Sequence, residues 1–412
     1  MSASKPHAPS KMVVGGRCSS IPTVIDDIRK GRMVVVTDDA DRENEGDLIM
    51  AAEKVSPTAV NFMTQFGRGL ICVPILPSRA RQLKLPRMVE NNHEAHQTDF
   101  TVSVDASHGI TTGISVQDRA KTIRILASSH SKCNSLVQPG HIFPLQAKEG
   151  GVLQRAGHTE AAIDLARLAG LDPSGVLCEI LNEDGSLARL PDLLQFCKKH
   201  ELKLCTIRDL IAFRRKSEKL IERCETVSLP TDYGEFQLYL YRSKVDNKHH
   251  LALVRGTLVS SEPTLVRVHS ECLTGDVFAS KRCDCGGQLH AALKRIALEE
   301  RGVLVYMRQE GRGIGLASKI LAYRLQENGL DTVEANEHLG LPMDSREYGL
   351  GAQMLSDLGV NKIRLLTNNP RKVVGLQGYN LKIVEQIPLK ISPNPYNAKY
   401  MATKKTKMGH CL

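Results

Sequence analysis

Apolar residues in this chain gather into short blocks separated by polar stretches and by segments of helical period. The blocks Met33-Val-Val-Val36, Leu48-Ile-Met-Ala-Ala52, Val176-Leu-Cys-Glu-Ile-Leu181 and Gly302-Val-Leu-Val-Tyr306 are too short for helices, so they predict buried strands. Ala161–Ala169 is strongly helix-favouring and stops at Gly170, and a further helix is predicted to open at about Leu316. This alternation runs from Ile21 to about Arg215 and begins again at Cys224. Between the two lies Arg214-Arg-Lys-Ser-Glu-Lys-Leu-Ile-Glu-Arg223. It is polar and helix-favouring without an apolar face of normal width, which predicts a helical linker. The halves share no residue-level similarity, so the pattern is a fusion of unlike domains and not an internal repeat. The expected organisation is a disordered tail over residues 1–20, a first domain over 21–216, a linker over 217–223 and a second domain over 224–412. The expected fold class is α+β and α/β, each domain a mixed sheet packed with helices.

Composition narrows the class. The chain has 412 residues, of which 42% are hydrophobic, enough for two or three cores, and no apolar run approaches the roughly 20 residues of a membrane span. A net charge of +10 permits nucleic acid, acidic membrane surfaces or phosphorylated small molecules as partners. Aromatic residues are only 4% and Trp is absent, which leaves little for stacking on single-stranded nucleic acid. Eleven cysteines, odd in number and scattered through apolar stretches such as those at Cys72, Cys178 and Cys205, fit a reducing, cytoplasmic setting. The first twenty residues carry Lys5, Lys11 and Arg17 but no acid and no apolar signal-peptide core.

The densest chemistry is Cys272, Cys283 and Cys285, spaced C-x10-C-x-C. Adjacent Cys-x-Cys thiols cannot close a comfortable disulfide, but both can reach one tetrahedral ion if the third arrives across a loop. No fourth ligand stands at obvious spacing: His290 falls in an apolar helical stretch and His269 in the strand-like run before the cluster. Three ligands leave one position open, which predicts a catalytic zinc site. Downstream, Arg308 and Arg312 flank a glycine-rich turn between a strand and a helix, a phosphate-loop pattern. Asp344 with Glu347 reads as a capping-box helix start ending at Gly359, which leaves Arg346, Gly349 and Gly351 to be accounted for.

In the first half, Asp38-Asp-Ala-Asp-Arg-Glu-Asn-Glu-Gly-Asp47 sets six carboxylates in ten residues between two predicted strands. Like charges so anchored call for a hard cation such as Mg2+. Thr159 can cap the helix that follows Arg155 and Gly157, giving a helix start suited to a phosphate. His141 sits in a proline-stiffened loop, and Glu179 interrupts an apolar run where burial would raise its pKa towards proton-transfer use.

These motifs carry two resemblances. Asp41-Arg-Glu-Asn-Glu-Gly-Asp47, Pro139-Gly-His-Ile-Phe-Pro-Leu145, Arg155-Ala-Gly-His-Thr-Glu-Ala161 and Gly175-Val-Leu-Cys-Glu179 together resemble 3,4-dihydroxy-2-butanone 4-phosphate synthase over roughly residues 21–216. The resemblance implies that Glu43 and His158 bind Mg2+ or Mn2+. It implies that Arg42, Glu43, Asp47, Arg155, Ala156, Gly157, His158, Thr159 and Glu179 hold ribulose 5-phosphate, and that His141 and Glu179 move protons. Glu45 and Cys72 would line the same site. The implied reaction abstracts a proton beside the ketone, expels water, shifts the carbon skeleton and releases formate. Two departures stand out: Asn134-Ser135 and Gln138 where the family commonly has Ser-Asp and then Arg, and no Gly before Thr98.

The second half resembles GTP cyclohydrolase II over residues 224–412. The resemblance rests on Arg267-Val-His-Ser-Glu-Cys-Leu-Thr-Gly-Asp276, Arg282-Cys-Asp-Cys-Gly286, Arg308-Gln-Glu-Gly-Arg-Gly-Ile-Gly-Leu316, Leu366-Thr-Asn-Asn-Pro370 and Lys407-Met-Gly-His410. It implies zinc on Cys272, Cys283 and Cys285. It implies GTP contacts at Arg267, Val268, His269, Ser270, Glu271, Gln288, Glu310, Gly311, Arg312, Thr332, Thr367 and Lys372, with Mg2+ or Mn2+ accompanying GTP. Tyr323 would lie in the active site, Arg346 would be the nucleophile on the α-phosphorus and Asp344 its proton acceptor. Arginine is a poor nucleophile, so an electrostatic clamp is the physical alternative for Arg346. Taken together the resemblances imply a cytoplasmic, bifunctional riboflavin-biosynthesis enzyme acting on ribulose 5-phosphate and GTP, with no nucleic acid or membrane partner, expected as a homodimer or higher homo-oligomer. Two competing readings remain. One keeps only the second half active, with the first a degenerate scaffold. The other, a nucleic-acid-binding zinc protein, would need paired C-x2-C knuckles or an aromatic platform, and the sequence has neither.

Overall fold

The computed structural model describes residues 18–38, 42–92, 98–341, 346, 348–369, 372 and 381–406. The chain divides into two units, Met1–Arg214 and Arg215–Leu412. The first is built on β1 (Val34–Thr37), β2 (Gly46–Ala51), β3 (Cys72–Ile75), β4 (Val104–Ala106), β5 (Leu136–Gln146), β6 (Gly175–Glu179) and β7 (Lys203–Thr206). They form one mixed sheet in the order β4-β5-β3-β6-β2-β1-β7. β1 runs parallel to β7 and β3 to β5, while the β1–β2, β2–β6 and β4–β5 pairs are antiparallel.

The predicted buried runs are strands covered on both faces. Val35, Leu48 and Met50 pack with Ile123 and Leu126 on one side, and Val34, Val36 and Ile49 with Ile25, Ile28 and Leu165 on the other. Alternation along a strand sends neighbours to opposite faces, so an unbroken apolar run signals two covered faces.

The second unit repeats the mixed design with different topology. Its strands are β8 (Ile221–Thr231), β9 (Gly234–Ser243), β10 (His249–Arg255), β11 (Thr264–Ser270), β12 (Gly302–Met307), β13 (Lys362–Leu366) and β14 (Lys382–Ile387). Their order is β14-β13-β11-β12-β10-β9-β8. β8 to β10 form an antiparallel meander that joins β12, beyond which β11, β13 and β14 run parallel. The helix Cys285–Leu298 packs Ala292 and Ile296 onto Leu265 and Leu304. On the other face Gly351, in the helix Gly349–Asp357, leaves room for Met307 and Val268 at ordinary contact distance.

Three local expectations are corrected. The helical linker over 217–223 is not one element: a helix covers Ile207–Ser217 and a strand starts at Ile221. Arg214 is not solvent-facing either, being buried against Asp164 at 2.8 Å. The polar residues after Ile221 misled because an edge strand takes its backbone bonds from one neighbour and turns most side chains to water, so pairing with β9 overrides helix propensity. Ser19, expected within the disordered tail, is instead held in place, its amide donating to the Leu204 carbonyl at 2.7 Å, and residues 1–17 of that expected tail lie outside the described residues. The helix that closes at Gly359 starts at Gly349 with Tyr348 as its N-cap, while Asp344 and Glu347 fall outside the described residues. Among the described residues no helix is long and apolar enough to cross a membrane.

Candidate active sites

The first site gathers where the β1–β2 loop meets the start of the helix His158–Leu168. Asp38, at the end of β1, accepts hydrogen bonds from the Glu43 amide (3.0 Å), the Glu45 amide (2.9 Å) and Arg42 Nη1 (3.0 Å). It folds the acidic loop back on itself and sets Glu43, Glu45 and Asp47 facing His158. Arg42 Nη2 lies 2.6 Å from Glu43 Oε1, and His158 Nδ1 lies 3.7 Å from Glu43 Oε2. Ligand atoms of Asp38, Glu43 and His158 fall within 4.8 Å of one another, as do those of Glu45, Asp47 and His158.

Electrostatics shows the strain of this crowd. Burial, then the Glu43 carboxyl and the Asp47 charge, push Glu45 up to about 8. Burial also lifts Asp47 to about 7. Burial opposes ionisation of Glu43 as well, but His158, Glu45 and Arg42 hold it down at about 2. His158 would be kept neutral by burial, yet Asp47 and Glu43 raise it to about 9. Asp47 Oδ1 and His158 Nε2 are buried without a hydrogen-bond partner among the described residues. Orphaned buried polar atoms beside carboxylates driven upward are what a divalent cation would relieve, displacing the histidine proton as it binds, so the donor set fits a hard ion.

The helix beside it corrects one expectation: its N-cap is Gly157 and its first residue is His158, so Thr159 lies inside the first turn. A side chain at Gly157 would crowd the Arg155 guanidinium, which would have to move aside. Arg155 reaches Glu160 Oε2 at 2.7 Å and Thr98 Oγ1 at 3.0 Å, beside the free N–H groups of the helix start. Asp47 pairs in register with Glu179 across β2 and β6, and the Leu70 amide donates to Glu179 Oε2 at 2.8 Å. Cys72 is buried in β3, between Leu177 and Phe143.

His141 stands on β5, two residues before the Cys72–Phe143 pair, and Leu70 precedes Cys72 by the same two residues, just ahead of β3. Its Nδ1 lies 2.6 Å from Asp105 Oδ2 and its amide donates to Asp105 Oδ1 at 3.0 Å. Asp105 was not found by sequence reasoning. Its only signal was a lone acid in the short run Val104-Asp-Ala106. The structure thus joins Arg42, Glu43, Asp47 and His158 in one cluster, with Glu179 beside Asp47. Among the described residues His141 makes no hydrogen bond or ion pair to that cluster.

The second site opens at the carboxyl ends of the parallel strands β11, β12 and β13, where α/β sheets commonly hold ligands. A cleft open to solvent is lined there by residues from all three strand ends, the kind of concave site that holds small ligands. From β11 and its extension come Arg267, His269, Ser270, Glu271 and Cys272. Cys283, Cys285 and Gln288 come from the next helix start, and Glu310, Gly311 and Arg312 from the loop after β12. Tyr323, Thr332, Arg346, Thr367 and Lys372 join them, while Asp344 of the expected set lies outside the described residues. Val268 differs: its side chain is core, and only its carbonyl takes part, accepting from Lys372 Nζ at 2.7 Å.

The sulfur atoms of Cys272, Cys283 and Cys285 lie within 4.8 Å of one another. Gly275 makes this possible, since a side chain there would sit 3.0 Å from Cys283 Sγ and 3.1 Å from Cys272 Sγ. Hydrogen bonding with Cys283 and Cys285, together with Lys319, drives the Cys272 thiol down, while Cys272 in turn drives Cys283 up to about 11, and Cys272 and Cys283 push Cys285 well above an ordinary thiol. Three thiols so placed cannot all ionise without a cation among them, and sulfur donors select a soft one, so the set fits zinc. Asp276 fixes the hairpin by accepting from the Cys272 amide (3.0 Å) and Tyr306 (2.8 Å) and by pairing with His269 Nε2 (3.1 Å).

The rest of the cleft is cationic. Burial, with Arg346 close by, lowers Arg267 to about 10, and burial beside Arg267 and Arg346 drives Lys372 well below an ordinary lysine. The loop after β12 turns through positive φ at Gly311 (61°), Arg312 (62°), Gly313 (95°) and Gly315 (86°), a conformation that glycine supplies and that turns backbone amides towards an anion. Lys319 was missed by sequence reasoning because on its helix it looks like a solvated residue. It is buried and reaches Cys272 Sγ (3.2 Å), Thr274 Oγ1 (2.9 Å) and Glu310 Oε1 (2.9 Å). Tyr400 and Lys404 also line the cleft.

Residues 22–213 match the family model of 3,4-dihydroxy-2-butanone 4-phosphate synthase, and residues 222–388 that of GTP cyclohydrolase II. The riboflavin biosynthesis protein RibBA of Aquifex aeolicus is 57% identical over 395 residues, covering 95% of this chain and 97% of the relative. RibBX of A. baumannii, a two-domain 3,4-dihydroxy-2-butanone 4-phosphate synthase, is 41% identical with a TM-score of 0.69 over 90% of this chain and all of its own. A 3,4-dihydroxy-2-butanone 4-phosphate synthase solved in complex with two magnesium ions is 44% identical over 48% of this chain and 98% of its own, with a TM-score of 0.47.

Proposed function

Since the chain belongs to the family of bifunctional riboflavin biosynthesis proteins that join 3,4-dihydroxy-2-butanone 4-phosphate synthase to GTP cyclohydrolase II, we propose how its residues divide the two reactions. The degenerate-scaffold reading of the first half is not favoured, because the family match spans residues 22–213 and the carboxylates and histidines the chemistry needs are present.

In the first unit Glu43 and His158, with Asp47 and Glu45 close by, would hold Mg2+ or Mn2+. When bound, the ion supplies positive charge for the oxyanion that develops as ribulose 5-phosphate loses a proton. Arg155 and the amides of the helix start at His158 hold the phosphate. Glu179 and His141 carry the protons, with Asp105 fixing Nδ1 so that Nε2 is the nitrogen offered to substrate. Arg42 orients Glu43.

In the second unit Cys272, Cys283 and Cys285 would hold Zn2+. When bound, the ion supplies Lewis acidity towards water and the guanine ring, the chemistry that ring opening with formate release requires. Arg267, Arg312 and Lys372 meet the triphosphate, and Arg346 meets the α-phosphorus as pyrophosphate leaves, with Asp344 as proton acceptor. The observation that carries this assignment is the convergence, at the ends of three parallel strands, of three thiols and a set of buried cations short of anions.

Assaying both half-reactions on one preparation tests the whole reading. Glu43→Gln should abolish formate release from ribulose 5-phosphate and spare GTP, and Arg346→Ala should do the reverse. Normal GTP turnover in Arg346→Ala would remove both its nucleophile and its clamp roles. We also propose a homo-oligomer, which sedimentation at working concentration would test.

A further inference from the structure

The helix Ala398–Thr406 lies beyond residue 388, where the cyclohydrolase family model ends. None of the site residues implied by the resemblance lies on it. Its inward positions follow helical spacing: Asn397 just before it, then Tyr400, Met401 and Lys404. Asn397 Nδ2 donates to the Cys283 carbonyl at 3.4 Å. Lys404 Nζ reaches both oxygens of Asp284, at 2.7 and 2.9 Å, and Asp284 stands between two of the three clustered thiols. From there a polar chain runs inward, with Gln288 Nε2 donating to Asp284 Oδ2 at 2.6 Å and Arg267 Nη2 donating to Gln288 Oε1. Arg267 Nη1 closes the chain on the Leu366 carbonyl at 2.9 Å. On the same helix the Tyr400 hydroxyl accepts from Arg312 Nη2 at 3.3 Å, with the Arg312 guanidinium 5.7 Å from the ring centre.

A buried ion pair such as Lys404–Asp284, with side chains 8% and 1% exposed, adds little stability over an apolar pair of the same size. Its placement carries more information than its energy. Both arginines served by this helix line the cleft, and among the described residues each keeps a buried N–H without a hydrogen-bond partner, Arg267 Nε and Arg312 Nη1. Arg312 is also held at a left-handed φ of 62°, a conformation that persists only where surroundings fix it.

We infer that the helix Ala398–Thr406 is a wall of the nucleotide cleft, in which Tyr400 orients Arg312 for the triphosphate and Lys404 fixes Arg267 through Asp284 and Gln288. The inference rests on the cleft being the GTP site. Tyr400 and Lys404 are then positioning residues, and losing them weakens the grip on GTP more than it slows the chemistry.

The experiment measures KM for GTP, kcat, bound zinc and melting temperature in the full chain for Tyr400→Phe and for Lys404→Met combined with Asp284→Asn, which removes both buried charges together. Arg267→Ala serves as reference. The expected result is a KM raised about tenfold in each, the effect of losing a hydrogen bond to a charged group. Bound zinc stays constant and kcat stays within about twofold of wild type. Unchanged KM in both variants overturns the inference. So does a fall in kcat, zinc and melting temperature together, which would make the helix a support for the fold alone. Unchanged KM in Arg267→Ala as well would overturn the assignment of the cleft to GTP itself.

Discussion

Asp38 and Asp105 each hold several neighbours at once, and among the groups they hold are ones proposed to act on substrate. Asp105 binds both the amide and Nδ1 of His141. Asparagine there offers one acceptor and one donor, and the donor faces a nitrogen that must itself donate. Asp105→Asn is therefore expected to cut ribulose 5-phosphate turnover by about tenfold or more, as loss of a histidine's orienting partner commonly does, while GTP turnover measured on the same sample stays unchanged. Gly275 has the complementary role of leaving space. Gly275→Ala would press a methyl group against Cys272 Sγ and Cys283 Sγ, so metal analysis should find the variant zinc-poor and GTP assays should find it slow, with the other activity intact. At this scale sequence reading named candidate ligands and missed their supports. The three thiols announce themselves by type and spacing and the acidic loop by its charge, Glu43 and His158 were singled out by the resemblance alone, and Asp105 and Lys319 acquire meaning only from what the fold packs against them.

The β1–β2 loop shows how an element can be built for an ion. Glu45 and Asp47 hold their protons more tightly in the folded chain, at about 8 and about 7, than an unfolded carboxyl does. Each therefore withdraws stability as pH rises from the ordinary carboxylate range through those values. His158, raised to about 9, contributes stability that is complete below the ordinary histidine value and lost as pH rises through 9. The signs agree. The metal-free first unit should melt at a lower temperature at pH 9 than at pH 6, and added Mg2+ should raise the melting temperature more at the higher pH. A flat profile without metal would show that the carboxylates are not crowded as described. Strands were the most legible elements, because unbroken apolar runs leave few alternatives. Boundaries were less so: Gly157 and not Thr159 caps the helix at His158, since a cap depends on which backbone turns there. The stretch after Ser217 is a strand because β9 offers it partners, a fact no local window contains.

Each unit has its own sheet and its own buried clusters, which is why the division into two halves could be read from the alternation restarting. The separation predicts that residues 1–217 and 218–412, expressed apart, are each soluble, and that each keeps its own reaction when assayed alone. Loss of both activities from folded fragments would point to a site shared between them. One consequence of placing two sheets on one polypeptide concerns supply. Every ribosome that completes the chain delivers the two catalysts in equal number, so their ratio cannot be set by transcription or translation. What remains adjustable is occupancy: the proposed thiol site and the proposed carboxylate site draw on different metals. A cell short of zinc would stall one product stream, and a cell short of magnesium the other, with the amount of enzyme unchanged.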